Sequence, residues 1–508
     1  MTTREKAARE VMLRDFEEFA RQDEEINGGD IDNAHAAQWL EENVPVFSCS
    51  DRQMEQIYNF RWWTFRKHVK TCPEGYIFTE FLPDVSWAGP YNAINSTAGF
   101  HVREARWLRH RDRYVPDYLR FWLKGSGALY SYSCWIGAAV RDDAEAIGDV
   151  SLAVELLEPL VVFYRKTEAE HLHESGLYWS IDDRDGMEYS ISGNGLRPTL
   201  NSYMISCAEA IVWIAEKCGR EDLVREFTEK AKSIREKMDQ MLWDSRDGFY
   251  KTLPVESISS PLLYRRPEDV PLEHNVLEEV GYIPWMFNIP DETHSCAFRY
   301  LLSERCFKAP YGPTTADRSH PRYRFEHPHE CLWNGPSWPL ATSQTLVAAG
   351  RLLKRFPENG TFTKKDWTDL FSTYASCHWL TRDDGTRVPW IDENLDPDTG
   401  EWLARSILES RGWPEYLGGY ERGKDYNHSE FCDLVITGIC GVTPRADDVL
   451  ELRPLAAGIQ RYALYDLPYH GRRVDLEYDA EAEEPLTVWI SGKEVYRGGA
   501  SAPVHISF

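Results

Sequence analysis

The chain has no run approaching the roughly 18 apolar residues of a membrane-spanning helix. Its first ten residues, Met1 to Glu10, are polar and charged, and no apolar signal region follows. The expected compartment is therefore the cytoplasm, with no membrane partner. Positive charge is also scarce: 57 Lys and Arg stand against 82 Asp and Glu, a net charge of −25. Nucleic acid and anionic membranes both require a basic face, so neither is an expected partner. None of the 11 cysteines sits in a C-x-x-C pair. That removes the spacing of a zinc site and of a disulfide framework, and no metal is expected. The fingerprints G-x-x-x-x-G-K-[ST], G-x-G-x-x-G and H-E-x-x-H are missing too, as is the G-x-S-x-G nucleophile elbow. Nucleotide, zinc-protease and serine-hydrolase chemistries thus lose their usual signatures.

Aromatics, by contrast, are plentiful: 13% of 508 residues, with 19 Trp and 26 Tyr. Flat Trp and Tyr faces stack on the C–H faces of sugar rings, and their polar edges reach hydroxyls. A large helical core uses the same residues, so composition alone does not choose. The 42% hydrophobic content belongs to a folded chain long enough for two or three domains.

Residues 1–50 read as an N-terminal lead-in, with a charged amphipathic stretch over 5–23 and a break at Gly28–Asp30. From 51 to 445 apolar residues recur at helical spacing. Helices are expected at about 51–70, 98–123, 131–141, 146–169, 199–218, 222–241, 271–282, 293–306, 338–356, 364–381, 403–411 and 429–441. Twelve helices taken as six hairpins suggest an (α/α)6 barrel, a six-hairpin toroid. Long loops at 71–97, 178–198, 307–337 and 383–402 would gather at its ends, and long loops in a compact domain usually carry function. Residues 446–508 form a small β-rich segment, with Val474–Tyr478 and Leu486–Ile490 as strands and a turn at Ser491–Lys493.

Five stretches could carry chemistry. The loop after His173 holds Asp182, Asp183, Asp185 and Glu188, any of which could be a general acid if burial raises its pKa, or simply a solvated loop. Asp392, Glu393 and Asp396 form a second acidic stretch, in which Asp396–Gly400 also reads as a plain turn. Trp333, Asn334 and Trp338 surround a Gly-Pro turn that either lines a sugar pocket or packs in the core. Arg61, Trp62, Glu80, Trp87 and Asn92 bring polar and aromatic groups close in sequence, and Arg61 paired with Glu80 would be a purely structural alternative. Asp425–Glu430 opens the last helix, with Ser429 the favoured cap and His428 free to touch substrate.

Taken in order, these stretches resemble a clan of (α/α)6-barrel glycoside hydrolases that includes trehalase, the processing α-glucosidases and mannosylglycerate hydrolase. In that clan the general acid lies in Ser-Gly-apolar-Asp-x-Ser ahead of a helix bearing Leu-Asn. Asp185-Gly186-Met187-Glu188-Tyr189-Ser190 matches, followed by Leu200-Asn201, with Glu in place of Asp. A second frame, Glu174-Ser175-Gly176-Leu177-Tyr178, puts a tyrosine at the acid position and is rejected. The clan's base lies in Glu-x-Tyr continued as Asn/Asp-Pro-x-Thr-Gly; Glu393-Asn394-Leu395-Asp396-Pro397-Asp398-Thr399-Gly400 matches, with Leu395 replacing Tyr. Its Trp-Arg-Gly-Pro-x-Trp appears as Trp333 to Trp338, with Asn334 replacing Arg.

The resemblance implies an inverting, exo-acting glycosidase with no cofactor. Glu188 would be the acid (Asp185 the fallback) and Glu393 the water-activating base. Arg61, Trp62, Glu80, Trp87, Asn92, Asn201, Trp333, Asn334, Trp338 and His428 would bind the carbohydrate. The competing readings are a sugar epimerase or lyase on the same barrel, marked by paired histidines at the pocket centre, and a non-catalytic carbohydrate-binding protein. The sugar, its linkage and anomer and the oligomeric state are left open, and endo action stays the alternative to exo.

Overall fold

A computed structural model describes residues 2–25 and 29–507. Gly28, at the break expected after the first helix, lies outside the described residues. The chain is mainly helical with a β-rich C-terminus.

Six helices pack one on the next. Ala98–Ala105 lies against Ile136–Ile147, which meets Pro198–Lys217. Ile283–Met286, Pro339–Arg355 and Cys432–Leu434 follow in turn, and the last returns to Ala98–Ala105. These helices carry the burial signature of interior elements. All eight residues of Ala98–Ala105 are buried, as are the first eleven of Pro198–Lys217. Helices that alternate with them in the chain bury one stripe instead. Glu221–Met241 buries only Leu223, Phe227, Ala231, Ile234 and Met238, at steps of three and four. Prolines open three of the interior helices (Pro198, Pro284 and Pro339), at positions where a missing N–H costs no helical bond.

Several expected helices are broken, each for a local reason. The stretch expected at 98–123 is two helices, and the second, Val115–Leu123, restarts at Pro116. The stretch 146–169 is interrupted twice. Gly148, at φ 70°, ends Ile136–Ile147, and the chain re-enters at Leu157–His171, where Pro159 has no N–H to offer the preceding turn. Residues 271–278 are not helical; a short 3-10 turn, Glu279–Tyr282, leads into Ile283–Met286. Residues expected as helix at 293–306 form the 3-10 segment Glu292–Leu302. Past Ser376 the chain turns into strand Trp379–Thr381, paired with Arg387–Pro389.

The lead-in is more ordered than its sequence suggests. Thr3–Gln22 and Asn33–Asn43 are helices that pack on Arg52–Lys67. Strand Val46–Cys49 pairs antiparallel with Arg461–Tyr469, Val46 facing Tyr465. It thereby becomes the edge of a five-stranded antiparallel sheet whose other strands are Arg472–Asp479, Leu486–Ile490 and Lys493–Gly498. The Ser491-Gly492 turn has both φ values positive, 50° and 80°, the geometry that matches strand twist in a two-residue hairpin. A second sheet joins Val442–Thr443, Val449–Leu452 and Val504–Ser507. All eleven cysteines are unpaired thiols.

Candidate active site

Segments that enter the N-terminal ends of the interior helices enclose one cavity of about 250 Å³. Glu188, Glu393 and Glu80 all line it, with Trp87, Trp338 and His428.

Glu188 sits on a loop whose shape is set by buried ionic groups. Arg197 donates to Asp185 at 2.7 Å, and both side chains are fully shielded from solvent. Arg197 also reaches the Ser190 hydroxyl at 3.1 Å. Asp182 accepts from the Ser190 amide and hydroxyl, each at 3.1 Å. Glu278 accepts from the amides of Ile191 and Ser192 at 2.8 and 3.2 Å. Tyr189 holds φ at 60°, a region costly for a bulky side chain, and its ring lies 3.7 Å from that of His327. The loop is clamped on both sides of Glu188, whose own carbonyl accepts from the Trp333 amide at 3.0 Å. Among the described residues no other side chain hydrogen-bonds the Glu188 carboxyl. Burial, with added repulsion from Asp183 and Glu393, pushes it up to about 8, so it carries a proton at neutral pH.

Asp185 borders the same cavity but its carboxylate is spent on Arg197, Ser133 at 2.7 Å and Ser180 at 3.2 Å. Burial outweighs Arg197 and raises the Asp185 pKa from the ordinary value. Its geometry suits holding the loop, and it has no free oxygen to offer a leaving group.

Glu393 is built differently. One carboxylate oxygen accepts from Arg422 Nε and Nη2, both at 3.3 Å; the other takes the Cys331 thiol. Arg422 is itself fixed by Glu330 at 2.8 Å and lies over Trp87, 4.9 Å from its ring centre. The Glu393 loop is tied to the Trp333–Trp338 turn by paired backbone bonds between Leu395 and Ser337, at 2.8 and 2.9 Å. Gly423 passes so close that a Cβ there would fall 2.0 Å from Asp392 Oδ1. Asp392 is pushed up to about 7 by burial and by the Glu393 charge beside it.

Glu80 is the third carboxyl of the cavity. It accepts from Tyr426, from Thr97 at 3.1 Å and from Ser96 at 3.3 Å. Burial raises it to about 7 against those hydrogen bonds, with the Glu393 charge adding to the rise. His428 is fully buried and neither ring nitrogen meets a partner at hydrogen-bond geometry, although the Tyr426 backbone lies near. Burial and the Arg61 charge hold it well below its ordinary pKa. It is a neutral ring with one donor and one acceptor to offer.

The remaining expected residues lie behind this wall. Arg61 does not meet Glu80; it donates to Ser429 O at 2.6 Å and to Tyr374 OH at 3.3 Å. Trp62 is buried in the core. Asn92 ties the 81–85 turn through Phe81 O, Pro83 O and Val85 N. Asn201 bonds the backbone of Tyr178 and Arg197. Trp333 backs Trp338, ring centres 4.7 Å apart, and Asn334 holds Phe325 O at 2.8 Å. Ser429 does not cap the last helix. Glu104 does so from a neighbouring helix, accepting from the amides of Phe431, Cys432 and Asp433 at 2.6, 3.0 and 3.1 Å. Asp396 makes the plain turn, accepting from Asp398 and Thr399 amides at 2.9 and 3.0 Å.

Sequence reasoning missed Arg422, Cys331 and Tyr426. Arg422 and Cys331 lie in loops with no recognisable motif. Tyr426 stood in a stretch already singled out, where its neighbour His428 drew attention. Among the described residues one trio, His329, Glu330 and Cys331, has metal-ligand atoms close together. Glu330 there already serves Arg422 and Arg411, at 2.8 and 3.1 Å.

A family model for the mannosylglycerate hydrolase MGH1-like glycoside hydrolase domain matches residues 90–429. The chain belongs to this glycoside hydrolase family. A solved structure described as a sialidase is similar over all of the chain, with TM-score 0.87 and 32% identity, and the chain covers 46% of it. The GH63 mannosylglycerate hydrolase of Thermus thermophilus, solved in complex with glucose, is similar over 75% of this chain and 98% of its own, with TM-score 0.50 and 12% identity, a likeness of fold alone. An uncharacterized protein of Borreliella burgdorferi is 28% identical over 182 residues, 33% of each chain. The chain thus spans about a third of the curated relative it matches and under half of the sialidase chain. The family match encloses Glu188 and Glu393 together with Arg422 and His428.

Proposed function

We propose that this chain is an exo-acting, inverting glycosidase whose substrate is a carbohydrate, with Glu188 as general acid and Glu393 as general base. The observation that carries the reading is that these two carboxyls, far apart in the chain, line one cavity in contrasting surroundings. Glu188 is protonated and has no partner side chain, as a proton donor to a leaving oxygen should be. Glu393 has a cation and a thiol behind it, which orient a carboxylate toward a water. The water would attack the anomeric carbon from the face opposite the leaving group. Glu80 and His428 would hold sugar hydroxyls, and Trp87 and Trp338 would stack on the ring.

The closed series of six interior helices, with outer helices alternating in the chain, supports an (α/α)6 barrel with the cavity at the N-terminal ends of its inner ring. Residues 51–445 would form this catalytic unit and 446–508 an appended β segment, with 1–50 as a lead-in that lends its strand to the sheet.

The test is hydrolysis of a panel of nitrophenyl glycosides and disaccharides, followed by anomer-resolved NMR. Glu188→Gln and Glu393→Gln should each abolish most turnover, and the first-formed sugar should have the inverted anomeric configuration. A product of retained configuration would refute the inverting mechanism, and full activity in either variant would refute that residue's role.

A further inference from the structure

At the other end of the interior helices, near their C-termini, two adjoining hollows of about 60 and 330 Å³ share Arg103, Asp142, Glu145 and Arg351. Together they are lined by seven basic and four acidic side chains, a local positive excess in a chain of net charge −25. Most of these cations have their needs met. Arg103 binds Asp142 at 2.6 Å and Glu430 at 3.2 Å, and Arg106 binds Asp433 at 2.7 Å. Arg355 donates to the carbonyls of Asn288 and Pro290, at 2.6 and 3.1 Å. Such bonds are the ordinary complement of helix C-termini.

Two cations are left over. Lys354 reaches only neutral oxygens, Thr437 O at 2.8 Å and Thr443 Oγ1 at 3.2 Å. Arg351 makes no hydrogen bond and no ion pair with any described residue, though it lines both hollows. Its guanidinium has five N–H donors, and among those residues only the longer-range attraction of Asp142 and Glu145 offsets its charge. Burial and the neighbouring Arg351 charge push Lys354 down to about 7. A helix-dipole role accounts for Lys354 touching a carbonyl, but not for a guanidinium that Asp142 and Glu145 attract without closing a hydrogen bond.

We propose that these hollows form a binding site for a small tetrahedral oxyanion of the sulfate or phosphate class, held by Arg351 and Lys354 and separate from the catalytic cavity. Isothermal titration of sodium sulfate into the full chain, with ionic strength balanced by sodium chloride, tests this. One saturable site is expected. Arg351→Met should weaken it about tenfold or more, Lys354→Met should weaken it as well, and Glu188→Gln should leave it intact. No saturable heat below about 20 mM sulfate, or equal binding by the Arg351→Met protein, would overturn the proposal. If that variant does not fold, unchanged binding by Lys354→Met overturns it alone. Parallel titrations with phosphate and succinate check the geometry: phosphate should bind as sulfate does, and binding of succinate alone would refute the tetrahedral assignment.

Discussion

Replacing Glu188 with Gln should remove activity and yet stabilise the fold. The carboxyl has an ordinary pKa of 4.5 and stands at about 8 in the native state, mainly through burial. Below 4.5 both native and unfolded chains hold the proton and the group costs nothing. Between 4.5 and 8 the native chain keeps a proton that the unfolded chain releases, so its contribution is lost as pH rises through that window. Each pH unit is worth about 1.4 kcal/mol. At pH 7 that amounts to at most about 3.5 kcal/mol, reduced to about 1–3 because the carboxyl faces a cavity open to water. A glutamine of the same shape never ionises and avoids this cost, but it has no proton to give, and general acid catalysis is worth about 10²–10⁴ in rate. Calorimetric melting of wild-type and Glu188→Gln protein at pH 4.5 and 7.5, beside an activity assay, reads both effects. Equal melting at the lower pH and a higher Tm for the variant at the higher pH are expected. A variant that melts below wild type at pH 7.5, or that turns over normally, would refute the argument.

Other outcomes follow from the same contacts. The rate profile of kcat/KM against pH should fall on its basic side near pH 8, as Glu188 loses its proton; a plateau through pH 9.5 would count against it. Asp185→Asn strands Arg197 in a fully buried site and should cost about 3–5 kcal/mol in urea unfolding; a loss under about 1 kcal/mol would contradict the clamp. Cys331→Ala removes the thiol from Glu393 and should lower kcat several-fold (roughly the effect of one lost hydrogen bond), while Cys331→Ser restores most of it; identical kinetics for both would assign the thiol no orienting role. Gly423→Ala should push Asp392 and Glu393 aside and depress kcat without abolishing folding, checked by kinetics beside circular dichroism.

The sequence alone was enough for the helical class, the β-rich end and the family, because these rest on local signals: apolar residues at steps of three and four, alternation near 474–490, and short motifs around Glu188 and Glu393. It also placed both carboxyls in loops, since Gly186 and the Asp396–Gly400 turn cannot continue a helix. What it could not supply was which polar residues turn toward the cavity. Arg61, Asn92 and Asn201 have the chemistry of sugar ligands, but their donors are consumed by carbonyls brought near only by folding. Arg422 and Cys331 become neighbours of Glu393 across loops with no shared pattern. Strand Val46–Cys49 finds its partner at Arg461–Tyr469, at the far end of the chain. The pKa of about 8 at Glu188 is likewise a product of enclosure: a side chain's identity is fixed by the sequence, whereas its desolvation depends on everything packed around it.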